Sequence, residues 1–171
     1  MTFEEFLTLP DPPSGHLKLH HGSVILVPPR WHRHAEIQQA LSDLLLPRTR
    51  GKGFGTLEFP FRAQGHEAWQ ADVGFVREDR RAEITGYLMG APDLVIEVLS
   101  PSNTVDEIND KMDVCMTSGC RSFWVVDPKR QMVSVTEGDV TRQYRAGASI
   151  PLPEPLEGAI PVADILDATR G

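Results

Sequence analysis

Residues 92–128 read PDLVIEVLSPSNTVDEINDKMDVCMTSGCRSFWVVDP, and the architecture of the chain follows from them. The opening DLVIEVL is apolar on both faces except at Glu97, the pattern of a strand covered on both sides. SPSNTVDEINDKMDVCMTSG reads as a helix. Its Thr104 and Glu107 have capping-box spacing, Val105, Ile108, Met112, Cys115 and Met116 form one stripe, and Gly119 ends it. SFWVVD is a second apolar strand, and Pro128-Lys129 turns the chain into QMVSVTE. Strand, helix and strand over residues 93–127 imply parallel pairing through a right-handed crossover.

Working outward, LKLHHGSVILVP alternates about His21-Gly22 and predicts a hairpin. From Trp31 to Leu46 the apolar residues Ile37, Leu41, Leu44 and Leu45 recur at helical spacing, until Pro47 and RTRGKGFG stop the helix. GTLEFPFRAQ, a turn at Gly65 and AWQADVGFV predict two antiparallel strands. REDRRAEITGYLMG is polar and reads as a short helix and loop. VTRQYRA is a further strand, and a short helix lies around Val162–Ala168. Residues 1–14, broken by prolines, read as an extended or partly ordered arm of one domain spanning 1–171. The expected fold class is α/β (α+β), a mixed sheet with helices on both faces.

Composition narrows the function. No run of about 18 apolar residues exists, so a membrane-spanning helix is not expected. MTFEEFLTLPDPPSG lacks the basic start and apolar run of a secretory signal, and Cys115 and Cys120 do not resemble a disulfide framework. A reduced, cytoplasmic setting is the expectation. The net charge of -7 argues against a nucleic-acid partner, because phosphate binding needs cations. A cluster in sequence, Arg30, Arg33, Arg48, Arg50 and Lys52, offers one possible basic face. Paired-carboxylate glycoside chemistry is disfavoured by an aromatic content of 7%.

Two carboxylates stand out. Glu97 and Asp72 each interrupt an apolar strand, and a buried charge is costly unless it is paired or binds a metal. For Glu97 a metal ligand and a structural ion pair are both open. Alternation puts Asp72, Gly74 and Val76 on one face, and Asp93, Val95, Glu97 and Leu99 on one face of the later strand. If the two strands are neighbours, Asp72 and Glu97 converge on one hard cation. Asp93 lies about 13 Å from Glu97 at ~3.3 Å per residue, too far to share that ion, and reads as a residue shaping the strand entry. Lys111 falls about 95° from the centre of the helix stripe, at its rim. There it either reaches the sheet or pairs with Glu107 on the surface. His34 reads as a core or helix-start histidine, and Glu36 has a poor angle for a helix-borne acid. His16, His20, His21, His32 and His66 form no zinc pattern with the cysteines, and Ser100 and Ser102 belong to no GxSxG motif.

Residues 92–128, with ADVGFV and HAEIQQALSDLL before them, resemble the Uma-type family described as restriction endonucleases, in the PD-(D/E)XK nuclease superfamily. The resemblance covers about residues 15–136. It implies a restriction-endonuclease-like core with catalytic residues Asp72, Glu97 and Lys111, the lysine displaced from the usual place two residues after the acid, where Leu99 stands. Ala71 replaces the family's proline before Asp72, Cys115 replaces a common tyrosine, and His34 matches a helix-leading histidine. The implied activity is Mg²⁺- or Mn²⁺-dependent endonucleolytic hydrolysis of DNA phosphodiester bonds, with Asp72 and Glu97 holding the metal. A catalytically silent nuclease-fold protein acting as a binding or assembly module is the alternative that the charge of -7 favours. A homodimer paired through an edge around residues 131–145 is the expected assembly.

Overall fold

The computed structural model describes residues 1–29, 31–64 and 68–167. Along the chain come α1 (Phe3–Phe6), β1 (His16–His20), β2 (Ser23–Val27), α2 (His32–Leu45), a 3₁₀ turn over Leu46–Thr49, β3 (Gly53–Arg62) and β4 (Trp69–Arg77). A 3₁₀ segment, Glu78–Glu83, leads to β5 (Ile84–Thr85), β6 (Tyr87–Met89), β7 (Leu94–Val98), α3 (Val105–Thr117) and β8 (Ser122–Asp127). β9 (Met132–Glu137), β10 (Val140–Arg145), β11 (Ser149–Pro151), β12 (Ala159–Pro161) and α4 (Val162–Leu166) complete it.

The main sheet has the order β10-β9-β8-β7-β4-β3-β6-β5. β7 and β8 pair in parallel across α3, as the crossover at residues 93–127 requires, while β3–β4, β4–β7 and β8–β9 are antiparallel. The result is the mixed sheet expected from sequence. Helices flank it through two cores. One joins α2 and α4 to Val73, Phe75, Leu94, Ile96 and Val98, and the other joins α3 to Val76, Val95, Phe59, Phe61 and Phe123. β7 contributes to both, so its five residues are all buried and its sequence is apolar throughout except at Glu97.

Local chemistry explains the boundaries. Thr104 and Glu107 form the full capping box, each side chain bonded to the other's backbone N–H. The β1–β2 hairpin turns at His21 and Gly22 with φ of +47° and +74°, the paired left-handed geometry of a tight hairpin turn. Gly74 is needed in β4 because a Cβ there would lie 2.6 Å from Phe59 Cβ.

Several expectations change. Val105 is 75% exposed instead of opening the α3 stripe, and Val114 is buried in its place, because the first turn of α3 extends beyond the sheet. Part of the segment read as an arm, Phe3–Phe6, is a helical turn with its own capping box, and Phe3 and Phe6 are buried with Leu19 and Ala68. The segment read as helix and loop also adds β5 and β6 to the sheet edge. The turn at Gly65, His66, Arg30 and the end of the last helix at Ala168 lie outside the described residues.

Candidate active site

β4 and β7 are neighbours, with Val73 opposite Ile96 and Gly74 opposite Val95. Continuing that register by one step sets Asp72 against Glu97 at the end of β7. Both side chains are buried, Asp72 6% exposed and Glu97 8%. On the other side of β4 the pairing with β3 skips Glu58, opposite Asp72, and Glu58 takes φ +51°. The two-residue alternation of β4 flips there: Val73 and Phe75 enter one core, whereas Trp69 and Ala71 enter the other. A left-handed non-glycine residue opposite the buried Asp72 is the kind of local strain that collects at functional sites.

Asp72 is gripped from the α2 side. Its Oδ2 lies 3.0 Å from His34 Nε2 and accepts a hydrogen bond of 2.8 Å from Val98 N–H. One turn further along α2, Gln38 Nε2 donates to the Asp72 carbonyl at 2.9 Å. His34 is itself buried, and its Nδ1 has no hydrogen-bond partner among the described residues. Helix α2 therefore enters the sheet by two polar side chains on the face that otherwise carries Ile37, Leu41 and Leu45.

Glu97 is met from the α3 side. Lys111 Nζ lies 2.8 Å from Glu97 Oε1 and donates to the Gln70 carbonyl at 2.7 Å, with the Trp69 ring centroid 5.8 Å away. Lys111 thus crosses from the rim of α3 to the sheet, and the surface pairing with Glu107 is not made; Glu107 caps the helix instead. Burial pushes the Glu97 carboxyl above its ordinary range and the nearby Asp72 charge adds to that, with Lys111 opposing. Burial works to lower the Lys111 pKa as well, but the two carboxylates outweigh it and the ammonium is held above its usual value. Two acids face one permanent cation, the Lys111 ammonium, so the carboxylates are in excess over the fixed positive charges.

That excess defines what the site can hold. Among the described residues no group of three or more His, Cys, Asp or Glu side chains is placed to enclose a metal. An all-protein cage is therefore absent from this region. The donor set fits a Mg²⁺-type ion, which takes one or two carboxylates and fills the rest of its shell with water and substrate phosphate oxygens. A cysteine nucleophile is not available: burial pushes the Cys120 thiol up to about 12 and raises that of Cys115 well above its ordinary value.

The cluster lies in a cleft of about 170 Å³ bordered by Lys18, Pro28 and Trp31 from the hairpin side and by Ser100, Asn103 and Ile108 from the α3 side. A wider groove of about 640 Å³ adjoins it, shares Trp31, His34, Ser100 and Asn103, and adds Arg33, Lys129 and Arg130. The basic cluster read from sequence does not form this face. Arg33 reaches it, but Arg48 donates to the Leu44 carbonyl and Lys52 pairs with Glu157, beyond the opposite end of α2. A 14-residue helix spans about 20 Å, which separates them.

The sequence reading brought together Asp72, Glu97 and Lys111, and the structure places all three in contact range of one another's charges. It missed Gln38 and Gln70 and left His34 as a core or helix-start residue. Polar residues one turn apart on the apolar face of α2, at positions 34 and 38, were the available signal. Glu36 lies away from the cluster and pairs with His32. Asp93 accepts from Arg77 N–H and Nε and from Arg80 Nη1, each at 3.1 Å, and so anchors the entry to β7.

Comparisons with known proteins agree with this architecture. A solved structure from Anabaena variabilis ATCC 29413, described as "a putative nuclease belonging to DUF820", superposes with a TM-score of 0.86 at 21% identity, covering 98% of each chain. No functionally curated protein shows significant sequence similarity. A family model described as "Uma2: Putative restriction endonuclease" matches residues 3–165. Matched along nearly its whole length, the chain belongs to the Uma2 family.

Proposed function

We propose that the protein is a metal-dependent endonuclease that hydrolyses DNA phosphodiester bonds, with Asp72, Glu97 and Lys111 as its catalytic residues. The observation that carries this reading is the buried cluster of two carboxylates and one ammonium beside a groove with Arg33, Lys129 and Arg130 on its wall. Asp127 also lines the groove and is paired with Arg130, which leaves Arg33 and Lys129 as the cations that a phosphate meets there. It is this local surface, not the average charge of -7, that answers the objection.

Asp72 and Glu97 would hold Mg²⁺ or Mn²⁺, which when bound would supply Lewis-acid polarisation of a phosphate oxygen and a lowered pKa for water. His34 and Val98 N–H fix the Asp72 carboxylate, so that its orientation needs no reorganisation when substrate arrives. Lys111 remains an ammonium at neutral pH and therefore serves as a charge stabiliser, not as a base. It faces the negative charge that builds on the non-bridging oxygens as water attacks phosphorus and the bond to the leaving sugar oxygen breaks. The attacking water gives up its proton to solvent and the leaving oxygen takes one from solvent, so the step is neutral in protons.

This reading carries a cytoplasmic setting and a single domain over residues 1–171. It also carries a twofold dimer through β10, the exposed edge strand of the main sheet. The test is cleavage of single-stranded, plasmid and linear duplex DNA by purified protein with Mg²⁺ or Mn²⁺, alongside Glu97→Ala. Cleavage lost in the variant is expected; equal cleavage by both overturns the assignment. A protein that neither cuts nor binds Mn²⁺ through Asp72, yet forms a stable complex with a protein partner, is the silent module instead.

A further inference from the structure

Of the three tryptophans, Trp69 and Trp124 are buried, whereas Trp31 is 64% exposed. Trp31 precedes α2 as its N-cap and makes no side-chain capping bond, so its indole serves neither the core nor the helix start. It stands where the narrow cleft and the wider groove meet, lining both. His34, which holds Asp72, follows three residues later on the first turn of the same helix. An exposed indole costs solubility without adding to the fold, and at this place it borders both the cleft that holds the two buried acids and the groove that holds Arg33 and Lys129.

The two spaces differ in what they can admit. The acids lie 6–8% exposed in a cleft of about 170 Å³. For scale, a dry cavity of about 150 Å³ holds one benzene ring. A phosphodiester link with its sugar is of that size, and a strand whose bases are unpaired can follow it without the bulk of a paired partner. The adjoining groove, about 640 Å³, is large enough for bases turned out of a strand. Its wall carries Arg33, Lys129 and Arg130, all exposed. Arg130 is paired with Asp127 and Arg33 donates to the Pro128 carbonyl, so Arg33 and Lys129 supply the net positive charge for a phosphate backbone running past the indole. Aromatic platforms combined with a basic groove are how proteins hold unpaired strands, each stacked base being worth roughly 5- to 150-fold in affinity.

We infer that the site takes single-stranded DNA, or a strand locally unpaired, with Trp31 stacking on a base next to the phosphate that faces Asp72 and Glu97. Trp31 is then a substrate-binding residue that selects unpaired over paired DNA. This inference rests on the nuclease reading for the position of the phosphate, but its test does not depend on cleavage. Binding of a fluorescent twelve-residue oligothymidylate, and of the same strand in a duplex, is measured in EDTA for the full chain, Trp31→Ala and Trp31→Phe. The oligothymidylate should quench tryptophan emission, because Trp31 alone of the three is accessible. Trp31→Ala should weaken single-strand binding about tenfold, Trp31→Phe should restore most of it, and duplex binding should change less than twofold. Circular dichroism confirms that the variants fold. Equal losses on both substrates, no loss on either, or no binding of the single strand overturns the inference. Trp31-dependent binding without cleavage when Mg²⁺ or Mn²⁺ is added overturns the nuclease reading and leaves the inference standing.

Discussion

Asp93 and Glu97 stand four residues apart at the two ends of one strand, both buried, and their surroundings are opposite in charge. Around Asp93, Arg77, Arg80 and Arg121 place guanidinium nitrogens at 3.1, 3.1 and 3.8 Å, and the Arg77 backbone N–H adds a fourth donor. Around Glu97 there is one ammonium, and a second acid, Asp72, whose charge pushes the Glu97 carboxyl up. The Asp93 cluster is over-supplied with cations and bonded from several sides, which is how a buried charge is made safe for the fold. The Glu97 cluster is under-supplied. The contrast separates an acid retained for structure from an acid retained for something that brings its own positive charge.

The largest effect that would break this comparison is on activity. Glu97→Gln keeps the shape of the side chain and removes the charge, and should lower DNA cleavage at least about 100-fold, the scale of losing one electrostatic element of a transition-state site. Next is stability. Asp93→Ala leaves three guanidinium groups facing an empty position and should cost about 3 kcal/mol in urea denaturation, the lower end for a broken buried pair because Arg77, Arg80 and Arg121 keep some solvent. Unchanged stability would show that the two clusters do not differ in the way proposed.

Metal addition sharpens the contrast. At about 100 times its dissociation constant, Mn²⁺ should stabilise the protein by about 2.7 kcal/mol, a rise of several degrees in Tm at this chain length. Glu97→Gln and Asp72→Asn should abolish the rise, and Asp93→Ala should keep it. Smallest is the pH dependence. Glu97 has a folded-state pKa raised above its ordinary 4.5, so the folded protein binds the extra proton and this contribution is fully present below 4.5. It is lost as pH climbs through the raised value. Thermal melts without metal should therefore move in favour of Glu97→Gln over wild type as pH rises from 4.5 to neutrality; a constant difference would mean that Glu97 is not perturbed.

Much of the site was legible in the chain because it is written in local pattern. Glu97 and Asp72 interrupt strands that their runs of apolar residues identify, and the β7–α3–β8 crossover follows from strand, capping box and strand in sequence. Lys111 was legible only as a rim position, since a helical wheel gives an angle but not what lies opposite. His34, Gln38 and Gln70 were hidden for another reason. Their partners, the Asp72 carboxylate and carbonyl and the Lys111 ammonium, lie 34 to 41 residues away, and hydrogen bonds of that range leave no periodicity. The basic residues misled because closeness in sequence becomes distance along a helix: Arg33 and Lys52 flank α2 at opposite ends, and the groove takes Lys129 and Arg130 from a distant turn.

By itself the sequence determined the main strands and helices, most of the faces they bury and that two acids lie in apolar strands, because backbone geometry imposes those periods residue by residue. Only the tertiary structure decided that β4 lies beside β7 in the register that sets Asp72 against Glu97. It alone decided that α2 and α3 close on that point from opposite faces with His34 and Lys111. Neighbourhood in a sheet is settled by how all the apolar faces are covered at once, and that is a property of the whole fold.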